Sequence, residues 1–266
     1  MKRIELFEFE DFLWLPNNIR KGVTNLIIVF HKLMGSSEVI TSLIAHIYQK
    51  QKFTKITDLG SGSGGPMIDV IKKLNDKKDI QPVKLVLSDL NPDPTLVAKI
   101  NAQQISNVTY LKQSIDATKL DETGPGLKTM IASFHHLSPT KAKNVLMSAQ
   151  ESKASILIYE VAKNNIPLLI WMLFLPISLF ILFLMSWVMT LFIRPLTFNQ
   201  LLFTYLIPVI PIIYAWDGQA SLMRTYTFED VKSLLSESDD YHWEIDNAKN
   251  AKGRNTGYYI LGLPIK

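Results

Sequence analysis

Cysteine is absent from this 266-residue sequence, and charge is nearly absent from one long stretch of it. Without cysteine, disulfides, thiolate-ligated zinc sites and a cysteine nucleophile are excluded. Between Lys163 and Asp217 the only charged residue is Arg194. The chain as a whole carries 28 basic and 24 acidic residues with no block of one sign, so its charge gives no argument for a nucleic acid partner. Acidic residues also interrupt the N-terminus, so no secretion signal is predicted there.

Short apolar segments alternate with amphipathic ones through much of the chain. This alternation predicts an α/β fold with a Rossmann-like, doubly wound and mostly parallel sheet joined by right-handed crossovers. Residues 17–50 have helical spacing, and a helix near 227–235 is followed by two segments that suit a closing antiparallel pair of strands. The strands of the core are predicted at residues 53–59, 83–88, 108–111, 128–134 and 155–161.

A glycine-rich turn follows the first predicted strand. The run Asp58-Leu59-Gly60-Ser61-Gly62-Ser63-Gly64-Gly65 allows a sharp backbone turn and presents free amides at the start of a helix. A structural turn or a dinucleotide site would have the same spacing. Asp89 ends the second strand, where a carboxylate can accept hydrogen bonds from ribose hydroxyls. Asp116 begins the loop after the third strand, where it suits an adenine amino group. Either acid taken alone is equally typical of a turn or a helix cap.

These residues resemble motifs of the class I S-adenosylmethionine-dependent methyltransferases. Asp58 to Gly64 looks like their first motif, Asp89 like the second-strand acid, and Asp116-Ala117 like the adenine-side acid. Phe134-His135-His136-Leu137 resembles the segment after their fourth strand. The resemblance implies a seven-stranded sheet whose last strand inserts antiparallel, with S-adenosylmethionine as cofactor. The cofactor-binding residues that it implies are Asp58, Gly60, Ser61, Gly62, Gly64, Asp89, Leu90, Asp116, Ala117 and Ser133.

One residue differs from the family pattern, and two further segments resemble a subset of the family. Ser133 stands where the family often has an acidic residue, so no catalytic acid is carried over to that position. Trp216-Asp217-Gly218 and Arg224-Thr225-Tyr226 resemble a bacterial subset of these enzymes, which implies no substrate. We expect a helical cap (1–52), a cofactor-binding core (53–163), an apolar insertion after the fifth strand (164–216) and a segment that completes the core (217–266).

Methyl transfer is an in-line displacement, so alignment in a dry pocket can supply much of the catalysis. If a base is needed, His135 or His136 is the candidate by its titration range, and Glu160 at the end of the fifth strand is a third catalytic candidate. The alternatives are a histidine that packs on the cofactor or caps a helix, and a Glu160 paired with a lysine. Asp217 and Arg224 are candidate substrate-binding residues or a structural ion pair. No metal site is predicted.

The uncharged stretch divides into two runs. Residues 166–193 exceed the roughly 20 that span a bilayer as a helix, whereas residues 195–216 are interrupted by Pro208 and Pro211. Because the core continues on both sides, the insertion must cross a membrane twice or not at all. The alternatives are a spanning hairpin that turns at Arg194-Pro195, an element embedded in one leaflet, and a lid of buried helices. Membrane contact is the favoured interpretation.

The functional expectation follows from these features together. We expect a cytoplasmic catalytic domain associated with the membrane, which transfers a methyl group to a small apolar or lipid-like acceptor. The alternative is a non-catalytic, membrane-bound module that retains a nucleotide-binding fold. A nucleic acid substrate is not expected, because the segment after the fourth strand lacks an Asn-Pro-Pro-aromatic motif. The sequence does not indicate an oligomeric state.

Overall fold

The structure is a computed structural model that describes residues 2–12 and 14–265. The chain forms two compact units, one of Met1–Met34 with Ala162–Thr227 and one of Gly35–Val161 with Phe228–Lys266. These boundaries differ from the four expected segments. The first 34 residues belong with the apolar segment, whereas the helix that follows them belongs with the sheet.

The second unit, which we call the sheet unit, is a seven-stranded sheet in the order β3-β2-β1-β4-β5-β7-β6. The first five strands are parallel, and β7 lies antiparallel between β5 and β6. This confirms the predicted Rossmann-like sheet, including the antiparallel position of its last strand. The strands are β1 (Lys55–Leu59), β2 (Lys84–Ser88), β3 (Val108–Tyr110), β4 (Leu127–Ile131), β5 (Ile156–Glu160), β6 (Tyr241–Lys249) and β7 (Asn255–Pro264).

Helices cover the sheet, and its central strands are buried because both faces are covered. All five residues of β5 are buried, as are the first four of β4. The fourth strand is shorter than predicted: Ala132 adopts a left-handed φ of 51°, and residues Phe134–His136 form a 3-10 turn instead of continuing the strand. The helices of this unit are α2 (Ser36–Lys50), α3 (Met67–Asn75), α4 (Pro94–Ala102), α5 (Pro139–Glu151) and α9 (Phe228–Leu234).

The first unit, which we call the helical unit, is built around three helices. They are α1 (Asn17–Met34), α6 (Leu168–Thr190) and α8 (Val209–Arg224), with a short α7 (Phe198–Leu201) and a π-helical turn (Leu202–Leu206) before α8. Apolar side chains of all three helices form one core. Gly22 of α1 lies against α8, where a Cβ in its place would meet the end of the Ile210 side chain.

The helix α6 matches the first uncharged run of the sequence. In the described part of the chain, α6 is the one helix that is by itself long and apolar enough to cross a membrane. The segments Phe198–Leu206 and Val209–Arg224 pass the same test only as a pair, and the pair is bent by 77°. The predicted turn at Arg194-Pro195 lies between α6 and α7.

Candidate cofactor site and active site

The glycine-rich turn leaves β1 and runs beside the end of β2. The amide of Ser61 donates to the carbonyl oxygen of Ser88 at 2.9 Å, and the Ser61 hydroxyl accepts from the Ser88 amide at 3.1 Å. Gly60 and Gly62 adopt φ values of 65° and 48°, a region that disfavours any side chain. A Cβ on Gly62 would meet no atom within 4 Å, so the turn has open space on that side.

Asp58 lies near the end of β1, and its buried carboxylate contacts other side chains of the protein. Oδ1 accepts from the Thr129 hydroxyl at 2.6 Å, and Oδ2 accepts from the Ser61 hydroxyl at 2.7 Å. Burial raises the pKa of Asp58 to about 7, against the opposing effect of these hydrogen bonds. Asp58 therefore shapes the turn through Ser61, and the prediction that it binds a cofactor stays untested.

Asp89 lies at the end of β2, as predicted, and is held in place by two amides. Oδ2 accepts from the amide of Gly62 at 3.0 Å, and Oδ1 accepts from the amide of Asn91 at 2.9 Å. An ionised carboxylate offers about four acceptor sites, so these two bonds leave capacity for further donors. Asp89 is half-buried and the neighbouring Leu90 is exposed, so a ligand can reach both residues.

The loop that contains Asp116 and Ala117 is attached to the end of β2. The amide of Ile115 donates to the carbonyl oxygen of Asp89 at 2.9 Å, and the Ser114 hydroxyl donates to that of Leu90 at 2.6 Å. Asp116 Oδ1 accepts from both the amide and the hydroxyl of Thr118, and these bonds lower the pKa of the Asp116 carboxyl. The structure thus brings the two predicted nucleoside acids to adjoining loops, with Asp116 ionised.

The end of β4 and the end of β5 meet through a histidine and a carboxylate. His135 Nδ1 lies 2.7 Å from Glu160 Oε2, and the amide of His135 donates to Glu160 Oε1 at 3.1 Å. Both side chains are buried. Glu160 is therefore paired with a histidine, not with the lysine that we considered as an alternative. His136 is exposed, and its ring centroid lies 4.3 Å from that of His135.

Ser133 joins this region to the glycine-rich turn. Its hydroxyl donates to the carbonyl oxygen of Leu59 at 3.4 Å, and a Cβ on Gly60 would lie 3.3 Å from Ser133 Oγ. A small side chain at Ser133 therefore suits the close approach of the turn to the end of β4.

The predicted cofactor residues of the sheet unit all lie at the carboxyl ends of β1, β2, β3 and β4, which is the usual ligand edge of a parallel sheet.

Two residues that stabilise the turn were not predicted from the sequence. The Tyr110 hydroxyl donates to the carbonyl oxygen of Gly62 at 2.8 Å, and burial together with the charge of Asp89 raises the pKa of Tyr110 and keeps it protonated. Thr129 holds Asp58 from the neighbouring strand β4. Thr129 is, with Lys128, one of two polar residues in the mostly buried strand β4, and a buried hydroxyl needs a partner, which is the signal that could have identified it.

Asp217 and Arg224 lie in the helical unit, where both bind the N-terminal segment. Asp217 accepts from the amides of Phe9 and Glu10 at 2.8 and 3.2 Å. The Arg224 guanidinium forms ion pairs with Asp11 and, at 3.4 Å, with Glu8. Asp217 therefore holds the N-terminal segment through backbone amides and Arg224 holds it through ion pairs, which differs from the ion pair between the two residues that was the alternative from the sequence. A role in substrate binding stays a prediction.

Several solved structures share this fold. The plantazolicin methyltransferase BpumL in complex with SAH is 10% identical, with a TM-score of 0.51 over 93% of this chain and 98% of that chain. BpumL with a monoazolic desmethylPZN analog and SAH is 12% identical, with a TM-score of 0.53 over 93% of this chain and 89% of that one. Human N-acetylserotonin methyltransferase in complex with SAM is 14% identical, with a TM-score of 0.50 over 94% of this chain and 56% of that one.

The chain therefore has the fold of class I S-adenosylmethionine-dependent methyltransferases. At these identities the similarity establishes the fold alone. No protein-family model and no curated protein matches the sequence.

Proposed function

We propose that the protein is a membrane-associated methyltransferase that uses S-adenosylmethionine and methylates a small apolar or lipid-like acceptor. The observation that carries this proposal is Asp89, a carboxylate held by the amides of Gly62 and Asn91 beside a glycine turn with open space. A fixed acceptor next to such a turn suits a nucleoside, and the surrounding fold is that of enzymes solved with SAM or SAH.

The residues present fit the cofactor at each part of the site. Asp89 would accept hydrogen bonds from the ribose hydroxyls, Asp116 with Ala117 would face the adenine, and Leu90 would pack on the base. The turn Gly60–Gly64 would lie along the remaining chain of the cofactor, since its glycines leave the backbone open to close approach. When bound, the cofactor supplies an electrophilic methyl group on a sulfonium.

His135 and Glu160 provide a base for an acceptor that must lose a proton. With Nδ1–H donated to the carboxylate of Glu160, Nε2 is the ring nitrogen that takes up the proton, and the carboxylate stabilises the imidazolium that forms. Burial of both side chains strengthens that interaction because the local dielectric is low. His136 is the second candidate base, since its ring is exposed and lies beside that of His135.

The apolar nature of the acceptor is supported by the segment that follows the active-site strand. Glu160 ends β5, and a few residues later the chain enters α6, in which every residue is uncharged. Most large side chains of α6 are exposed in the described part of the chain. Exposed apolar surface on this scale is typical of membrane contact, and a membrane would supply an apolar acceptor directly.

Release of S-adenosylhomocysteine tests the proposal. Purified protein with S-adenosylmethionine should release it when a total lipid extract is added, and not when the water-soluble extract of the same cells is added. His135→Gln should retain cofactor binding and lose most of the turnover. Binding of S-adenosylmethionine without turnover in either extract would instead support the non-catalytic module, and turnover in the aqueous extract alone would refute the apolar acceptor.

A further inference from the structure

The helix α6 has two faces of different character. Trp171, Ser186 and Met189 are buried within the helical unit, where α6 packs mainly against α8. The opposite face is exposed over the whole length of the helix and carries only apolar side chains. Its most exposed members include Leu169 at 80%, Leu173 at 72%, Phe180 at 62% and Val188 at 58%.

This face suits a lipid surface better than a protein partner. No charged residue occurs between Lys163 and Arg194, so the face has no ionic group that could give register or specificity to a protein contact. Its 23 residues correspond to roughly 34 Å of helix, far more contiguous apolar surface than monomeric soluble proteins usually expose.

Length and composition alone would allow α6 to cross the bilayer, but the path of the chain opposes this. The sheet unit is made of Gly35–Val161 and Phe228–Lys266, and the segment between them must begin and end on the same side of a membrane. If α6 crossed, a second segment after Arg194 would have to return.

No straight segment after Arg194 is long enough to return. The 77° bend separates Phe198–Leu206, nine residues or roughly 13 Å of helix, from α8. In α8 only Val209 to Trp216, eight residues or roughly 12 Å, precede Asp217. Neither part approaches the roughly 30 Å of a hydrocarbon core.

The second half of α8 is also held by charged groups. Asp217 accepts amides of the N-terminal segment, the Ser221 hydroxyl donates to Glu8 at 3.0 Å, and Arg224 pairs with Glu8 and Asp11. Insertion of α8 would carry this ionic network into the bilayer, where each charged group costs about 3 kcal/mol or more at the helix centre.

We propose that α6 lies in the plane of the membrane, with its exposed face in the acyl region of one leaflet, and that the chain does not cross the bilayer. This inference rests on the membrane association proposed above and replaces the spanning hairpin considered from the sequence. A helix that lies in the plane of the interface buries its apolar face about 5–10 Å into the boundary between headgroups and acyl chains, and its whole length lies at one depth.

The absence of cysteine allows a direct measurement of depth. Single-cysteine variants Leu169→Cys, Leu173→Cys, Phe180→Cys and Val188→Cys each place one fluorophore on the exposed face. After reconstitution into phosphatidylcholine–phosphatidylglycerol vesicles, quenching by lipids with a shallow or a deep nitroxide gives the depth of each label. Lys112→Cys, exposed in the sheet unit, is the control that neither lipid should quench.

The in-plane arrangement predicts the same ratio of shallow to deep quenching at all four positions. Leu169 and Val188 are 19 residues apart, so a spanning helix would separate their depths by roughly 28 Å and place Phe180 near the middle. A ratio that passes through a deep extreme at Phe180 would overturn the in-plane inference and leave membrane association standing. Protein that does not float with vesicles would refute membrane association itself. A dimer whose labels no lipid quenches would show that a second copy covers the face.

Discussion

Replacement of Asp89 by alanine tests the cofactor site in the greatest detail. The substitution removes the two acceptors that hold the amides of Gly62 and Asn91, and with them the acceptor expected for the ribose hydroxyls. A hydrogen bond to a charged group contributes about 1.5 to 3 kcal/mol, and its loss corresponds to roughly a 13- to 150-fold weaker Kd for S-adenosylmethionine. Titration calorimetry with S-adenosylmethionine and S-adenosylhomocysteine measures this directly.

Asp93 provides the matched control. Its carboxylate also accepts two backbone amides, those of Thr95 and Leu96, but these belong to the first turn of α4. Asp93→Ala should therefore lower the free energy of unfolding by about 1 kcal/mol through loss of the helix cap and leave the cofactor Kd unchanged. The reasoning is refuted if Asp89→Ala binds the cofactor as tightly as the parent protein, or if Asp93→Ala weakens binding to the same extent.

Three further predictions follow from the same geometry. Gly62→Ala places a Cβ in the open space where the cofactor would lie, so it should weaken cofactor binding. Gly253→Ala is the control, since Gly253 has a φ of 74° and equally empty surroundings but lies outside the proposed site. Equal cofactor binding by the two variants would argue against a ligand at the turn. Glu160→Gln removes the carboxylate that holds His135, so it should lower kcat and change the pH dependence of kcat, with little change in the Kd of the cofactor. A rise in that Kd as large as the fall in kcat would indicate a structural role for Glu160. Burial raises the pKa of Asp58 from 3.8 to about 7, so its contribution to stability is complete below pH 4 and is lost as the pH rises to about 7. Asp58→Asn should flatten the dependence of Tm on pH in that window, and an unchanged slope would contradict this assignment.

The local pattern of the sequence predicted the strand and helix order well because each element carries its own periodicity. The turn at Gly60 and Gly62 was recognisable because glycines at this spacing directly after a strand favour a backbone with positive φ, which both residues adopt. Asp89 was placed correctly at the end of β2 because the apolar run of that strand ends at Leu87, two residues before it.

Contacts between distant parts of the chain could not be predicted in this way. Thr129 and Asp58 are 71 residues apart, and Tyr110 and Gly62 are 48 apart, so no local pattern connects them. The partners of Asp217 lie more than 200 residues away, in the N-terminal segment. The apolar segment is a different case, because its 77° bend lies at Pro208, one of the two prolines that interrupt its second run in the sequence.

The product of the reaction is the most direct test of the central claim. A lipid extract incubated with the protein and methyl-labelled S-adenosylmethionine should yield one labelled apolar product by mass spectrometry, in amounts equal to the S-adenosylhomocysteine formed. The amount of labelled product should fall steeply with His135→Gln and with Asp89→Ala. Tight binding of S-adenosylmethionine with no labelled product in any extract would contradict the assignment of this protein as a methyltransferase.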